Sequence, residues 1–236
     1  MSGIQSVKFF LTKHEDCSYL PEQQSSLLVV DPTRKISSSE YSRLTQSGFR
    51  RSGATIYRPQ CKSCEECVPI RIPVEDFFPK RRHKRILRKN SHITVSKVSP
   101  FFSVEHFSLY SKYIESRHSS GGMAPSSIEQ YRDFLLEGRP ETSFYEYRED
   151  EILLAVAVTD SLSDGISAVY NFYDPTLGSR ALGIFMILSL LEETMKQSKR
   201  FLYIGYWIKE CKKMSYKNQF CPSERLIKGK WVLYDG

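Results

Sequence analysis

Apolar and polar positions alternate over residues 68–74, with Ile70 and Ile72 set against Arg71, and a period of two predicts a strand. The same rhythm predicts strands at 25–32, closed by Asp31-Pro32, and at 94–98. Three more follow at 144–147, 152–160 and 166–172. An acidic turn joins the first two and Asp164-Gly165 joins the second pair, which makes a meander. The apolar run at 201–208 adds another strand. Helical spacing covers 104–116, 127–137 with Gly138 as its stop, and 183–197. Ser37, with Glu40 three residues later, predicts a capped helix at 37–44. Residues 48–59 read as a turn and a strand, and 80–90 as a helix anchored only by Ile86 and Leu87.

The predicted fold class is α/β (α+β), in two parts divided at Ser99-Pro100. Residues 100–236 carry the order ααβββαβ, the plan of an acetyltransferase-type (GNAT) domain with a mixed sheet. Residues 1–99 form a smaller α/β domain with a cysteine cluster. The likeness is one of element order and says nothing of function. Coenzyme A-dependent enzymes of that type cradle pyrophosphate on a helix start, and Arg180-x-x-Gly183 has that position. Phe185 then breaks the glycine-rich fingerprint.

Hydrophobic residues make up 40% of the 236, enough for a core and too many for a disordered chain. No apolar run nears the roughly 18 residues of a membrane helix, and residues 1–11 do not read as an export signal. The expectation is a soluble cytoplasmic protein with no membrane and no DNA partner. The net charge is +7, but its layout matters more. Nine basic against two acidic residues give +7 within 71–100 alone, the middle is acidic, and the tail is basic again. Such a block suits a polyanion; the plainer alternative is a solvated helix face.

Cys61, Cys64 and Cys67 are spaced C-x2-C-x2-C, which can aim thiolates at one zinc or iron–sulfur centre. Cys17 is the best fourth ligand, with His14 or His83 behind it. Reduced thiols with a redox role, or plain packing, are the alternatives. Cys211 and Cys221 read as core positions.

Longer motifs carry a resemblance. Cys17-Ser-Tyr-Leu-Pro21, the stretch 48–59 (GFRRSGATIYRP) and CKSCEECVPIRI resemble the N-terminal half of arginyl-tRNA–protein transferases. Arg117-His118 with the glycines after it, Ser167-Ala-Val-Tyr170 and Lys213-Met214-x-Tyr216-Lys217 resemble the C-terminal half. The short chain and its cysteine spacing are most similar to the bacterial aspartate/glutamate leucyltransferase branch. The resemblance implies transfer of leucine from leucyl-tRNA to the α-amine of proteins beginning with Asp or Glu, a degradation signal. Arginine as donor, a coenzyme A-dependent acetyltransferase and a non-catalytic RNA-binding module are the other readings.

An ester donor and an amide product need no cofactor, and the nucleophile is the substrate's own amine, of pKa near 8. The enzyme must position it, take a proton and hold an oxyanion. Arg50 and Arg51 are adjacent and face opposite ways in an extended stretch, so one can hold the acidic side chain and the other a phosphate or an internal acid, with Tyr57, Tyr170 and Phe172 as pocket walls. Asp174, His118 and Asp160 are candidates for the catalytic steps. Lys80, Arg81, Arg82, Lys84, Arg85, Arg88 and Arg180 are expected on tRNA phosphates. Tyr206, Trp207, Lys213 and Lys217 mix aromatics and cations, which suits unpaired nucleotides.

Overall fold

The computed structural model describes residues 7–117 and 127–235. Its first part comprises β1 (Phe9–Leu11), β2 (Glu15–Asp16), β3 (Gln24–Ser25), β4 (Leu27–Val30), helix α1 (Ser38–Gln46), and the hairpin of β5 (Arg50–Ser52) and β6 (Thr55–Pro59). Ser37 caps α1 by accepting the Glu40 N–H, and the Glu40 carboxylate accepts the Ser37 N–H in return. Strands β1, β4, β6 and β5 pair in that order into a small antiparallel sheet, and β2 pairs with β3.

The larger sheet draws on β7 (Val68–Pro73), β8 (Thr94–Val98), β9 (Thr142–Glu149), β10 (Ile152–Ser161), β11 (Gly165–Tyr173), β12 (Phe201–Trp207), β13 (Ser223–Ile227) and β14 (Lys230–Tyr234). Its eight strands run in the order β14-β13-β7-β12-β11-β10-β9-β8 and are mixed in direction. Strands β9, β10 and β11 are the meander that the alternation predicts. Strands β7 and β8 precede residue 99, and β7 lies inside this sheet between β13 and β12. Segments on both sides of Ser99-Pro100 therefore share one sheet.

Helices cover both faces. They are α2 (Arg81–Lys89), α3 (Val104–Arg117), α4 (Ile128–Tyr131) and α5 (Leu182–Lys196), and α4 runs on into a single wide π turn, Arg132–Leu136. Phe185, Met186 and Leu190 of α5 pack with Tyr147, Ala155 and Leu202 on one face. Tyr110 and Ile114 of α3 pack with Phe144, Val156 and Phe172 on the other. Neighbouring residues of one strand thus serve opposite cores. Strand β10 is buried from Leu153 to Asp160, as a strand covered on both faces must be. A third cluster joins the small sheet and α1 to the large one, with Tyr41, Leu44 and Phe49 packed on Leu162, Phe201 and Tyr203.

One pairing shapes everything around the site. Strands β11 and β12 are parallel and linked by α5, but they pair only at Gly165↔Phe201, Ile166↔Leu202 and Ser167↔Tyr203. Beyond that they part, β11 staying on β10 and β12 on β7. A wedge opens between Ala168–Tyr173 and Ile204–Trp207. The closed end depends on Gly165, where a Cβ would sit 2.2 Å from the Phe201 carbonyl oxygen. Gly165→Ala should force the strands apart and lower stability by about 1–3 kcal/mol. An unchanged midpoint in chemical denaturation would contradict this packing.

Candidate functional site

Adjacent residues of a strand face opposite ways, and Arg50 and Arg51 of β5 do so. Arg51 turns inward. Its Nε lies 2.6 Å from Asp160 Oδ2, its Nη2 lies 2.8 Å from Oδ1, and both side chains are fully shielded from solvent. Tyr41 donates to Oδ2 at 2.6 Å and Thr142 to Oδ1 at 2.7 Å, so four donors fill the carboxylate. Burial works against the Asp160 charge, but the bond and charge of Arg51 together with the Tyr41 and Thr142 bonds outweigh it and hold the carboxyl below its usual range. Asp160 has no lone pair left to accept a substrate proton, and Arg51 is spent on an internal acid. Asp160 therefore does not fit the proton-acceptor role expected of it, and Arg51 is the arginine of the pair that holds an internal acid.

Arg50 points into the wedge. Its Nη2 donates to the Ala168 carbonyl of β11, and its guanidinium lies against Gly205 of β12, where a Cβ would be 3.5 Å from Cζ. Gly205 has φ +83°, and the β12–β7 register slips beside it, which lets the guanidinium come close. Nη1 of Arg50 is buried with no hydrogen-bond partner. Tyr57 of β6 is its cross-strand partner. Tyr206 of β12 donates its hydroxyl to the Gly48 carbonyl at 2.8 Å and accepts from Lys217 Nζ through its own carbonyl. Neither Arg50 nor Lys217 belongs to an ion pair among the described residues.

The other expected residues divide. Tyr57 and Tyr206 line a cavity of about 1100 Å³ together with Cys17, Cys61, Cys64 and Cys67. All four thiols are free and half-buried. Burial, with the charges of Cys61, Cys17 and Cys64, pushes the Cys67 thiol up to about 12. Among the described residues no three His, Cys, Asp or Glu side chains are gathered to hold a metal ion. The residues as placed do not fit a zinc or iron–sulfur centre. His83 is packed between Phe77 and Phe220 in the core.

Asp174 caps a 3-10 turn by accepting from Thr176 and pairs with Lys112 at 2.8 Å. Burial raises its carboxyl, but these bonds outweigh it and hold it low, so it is a weak proton acceptor. Phe172 is fully buried under α3, on the same strand face as Tyr170, and belongs to the core rather than to a pocket wall. Tyr170 is half-buried, and its hydroxyl has no partner. Arg180 is engaged by Glu149 at 2.7 Å, Asn90 and His92, which leaves no fork for a phosphate. Trp207 stacks under Arg225, whose Cζ is 4.1 Å from the ring centre. Lys217 is buried and not on the surface where a phosphate contact would need it. Lys213 is exposed, and so are Lys80, Arg81, Arg82, Lys84, Arg85 and Arg88, none of them in an ion pair among the described residues. His118 lies outside the described residues.

The family models of the arginine-tRNA-protein transferase match both halves, the N terminus over residues 15–85 and the C terminus over 105–227. The chain belongs to that family. It is 47% identical to the aspartate/glutamate leucyltransferase of Pseudomonas fluorescens (strain SBW25), over 98% of this chain and 99% of that one. The protein of that name from Alcanivorax borkumensis is 48% identical over 98% of this chain and 96% of its own. Among solved structures, the L-PGS of Bacillus licheniformis covers 61% of this chain and 46% of its own at 12% identity, with a TM-score of 0.43.

Removing one partner of a buried ion pair strands the other. Arg51→Met should therefore cost about 3–5 kcal/mol of stability. The pair's contribution in the native chain should be complete above the ordinary carboxyl value of about 4 and fade as pH falls toward the lowered native one. Denaturation curves from pH 3 to 7 check both, and an Arg51→Met protein as stable as the parent would refute the pair's structural role.

Proposed function

We propose that this chain transfers leucine from leucyl-tRNA to the N-terminal α-amine of proteins beginning with Asp or Glu, marking them for degradation (the N-degron pathway). Near-full-length relatives with that name support the reaction. The observation that carries the acceptor side is Arg50, whose buried Nη1 has no partner at the mouth of the parted strands. A planar guanidinium with a free donor suits a carboxylate. Tyr57 is the cross-strand partner of Arg50, and Tyr57 and Tyr206 both line the neighbouring cavity.

The ester carries its own leaving group, so the step requires no nucleotide hydrolysis and no cofactor. The amine's nitrogen bonds to the leucyl carbonyl, the ester C–O bond breaks, and the ribose oxygen takes a proton. Positioning of amine and ester supplies much of the rate. Residues 100–236 serve as the acetyltransferase-like acyl-transfer part, and residues 1–99 present Arg50 and the basic helix. The exposed cations of α2 hold tRNA phosphates, in the cytoplasm where charged tRNA is made.

Incubation of an Asp-starting peptide with labelled leucyl-tRNA or arginyl-tRNA tests the reading. Leucine should be transferred, and no transfer from either donor would overturn it. Arg50→Ala should raise KM for that peptide at least about tenfold, the worth of one charge-assisted hydrogen bond, with tRNA affinity unchanged. Equal loss of both would put Arg50 on the tRNA. Neutralising Arg81, Arg82 and Arg85 together should flatten the salt dependence of tRNA binding by roughly 0.7–0.9 in slope per lost contact; an unaltered slope would remove α2 from the interface.

A further inference from the structure

Arg50 has a second cation for company. Lys217 lies on the 3-10 turn Lys212–Gln219, is 7% exposed, and donates to the Tyr206 carbonyl. The groups that bear on its charge are Arg50 from β5, Cys211 at the start of the turn, and Tyr216, whose ring centre is 5.9 Å from Nζ. None is a carboxylate. The acids Asp160 and Asp174 are taken by Arg51 and Lys112, and Asp164 accepts from Tyr203. A buried ammonium beside a guanidinium must find an anion or lose its proton. Arginine keeps its charge in any setting, whereas lysine can shed it.

We propose that Lys217 and Arg50, which meet the backbone at the neighbouring residues Tyr206 and Gly205, form one two-cation socket for the side-chain carboxylate of the acceptor's first residue, with Lys217 taking up a proton, where it lacks one, as that carboxylate arrives. The occupant rests on the acceptor reading above. The proton comes from solvent, and the amine of Lys217 becomes an ammonium held by the carboxylate and the Tyr206 carbonyl. Burial, aided by the Arg50 charge, brings Lys217 down to about 7, so the empty socket carries about one and a half charges at pH 7 and approaches one as pH rises. An acidic side chain reverses that balance. An amide such as Asn brings no charge and leaves the Lys217 equilibrium where it was, so it gains less of the second cation's hold than Asp does. The socket thereby discriminates between shapes that differ by one proton-bearing group.

Lysine-specific 13C labelling lets NMR follow the Cε signals from pH 5.5 to 9.5, and Lys217→Arg identifies the signal of Lys217 by its loss. Its midpoint should lie near 7 in the empty enzyme and rise by at least about one unit, a tenfold change in proton affinity, with an Asp-starting peptide. An Asn-starting peptide should leave it in place. In transfer assays KM for the Asp-starting peptide should rise with pH above 7 in the parent, and Lys217→Arg, permanently charged, should remove that rise. A midpoint unmoved by an Asp-starting peptide that is leucylated under the same conditions would overturn the inference alone. Absence of leucylation would overturn the acceptor reading and the inference together.

Discussion

The buried pair of Arg51 and Asp160 fastens the small sheet to the large one. Asp160 ends a strand deep in the large sheet, Arg51 belongs to the small one, Tyr41 comes from α1 and Thr142 from β9. Two charges out of water would be costly alone, and here every lone pair of the carboxylate is matched by a donor. Gly138 has no side chain because Arg51 needs the room; a Cβ there would lie 3.1 Å from Nη2. With Arg51 fixed, its neighbour has no choice of direction, since a strand sends successive side chains to opposite faces. Arg50 must enter the wedge.

The wedge is the second constraint. Parting strands leave backbone groups without a ladder, and each has to be satisfied or placed where a ligand can reach it. Arg50 takes the Ala168 carbonyl, and Lys217 takes that of Tyr206. Cations thus fill a gap that neutral backbone opened, and they do so without a counter-ion among the described residues. Such a site is poised for an anion. The chemistry of an N-terminal Asp or Glu supplies one, beside the amine that must react.

Local features were legible from the chain itself. The Ser37/Glu40 cap, the Asp164-Gly165 turn and the meander of β9 to β11 each rest on residues within a few positions of one another. Non-local pairing was not legible. Nothing in residues 68–73 says that they lie between β12 and β13. The hairpin of β13 and β14 escaped notice because Glu224, Arg225 and Lys230 blur its alternation, although Lys228-Gly229 is a turn signal with both φ angles positive. The adjacency of Arg50 and Arg51 implied divided roles but not which arginine had which. Asp160 stands at a strand end beside a turn and Asp174 follows Tyr170 and Phe172 at a period of two, and sequence does not reveal whether a carboxylate already has donors. Phe172 shares the period-two face of Tyr170, and only the packing of α3 shows that this face is core. Lys217 looks like a surface cation in a Lys- and Tyr-rich run, and its burial depends on β12 and β5.

The division of labour between two neighbouring arginines is most directly tested by chemical rescue. Methylguanidinium is added to the Arg50→Ala and Arg51→Ala proteins, and leucine transfer to an Asp-starting peptide is measured against its concentration. Arg50 is proposed to meet the acceptor, so transfer should return in a saturable way in Arg50→Ala. Arg51 acts inside a closed core, so Arg51→Ala should gain nothing. Rescue of Arg51→Ala with none of Arg50→Ala would contradict the assignment of the buried pair and of the socket alike.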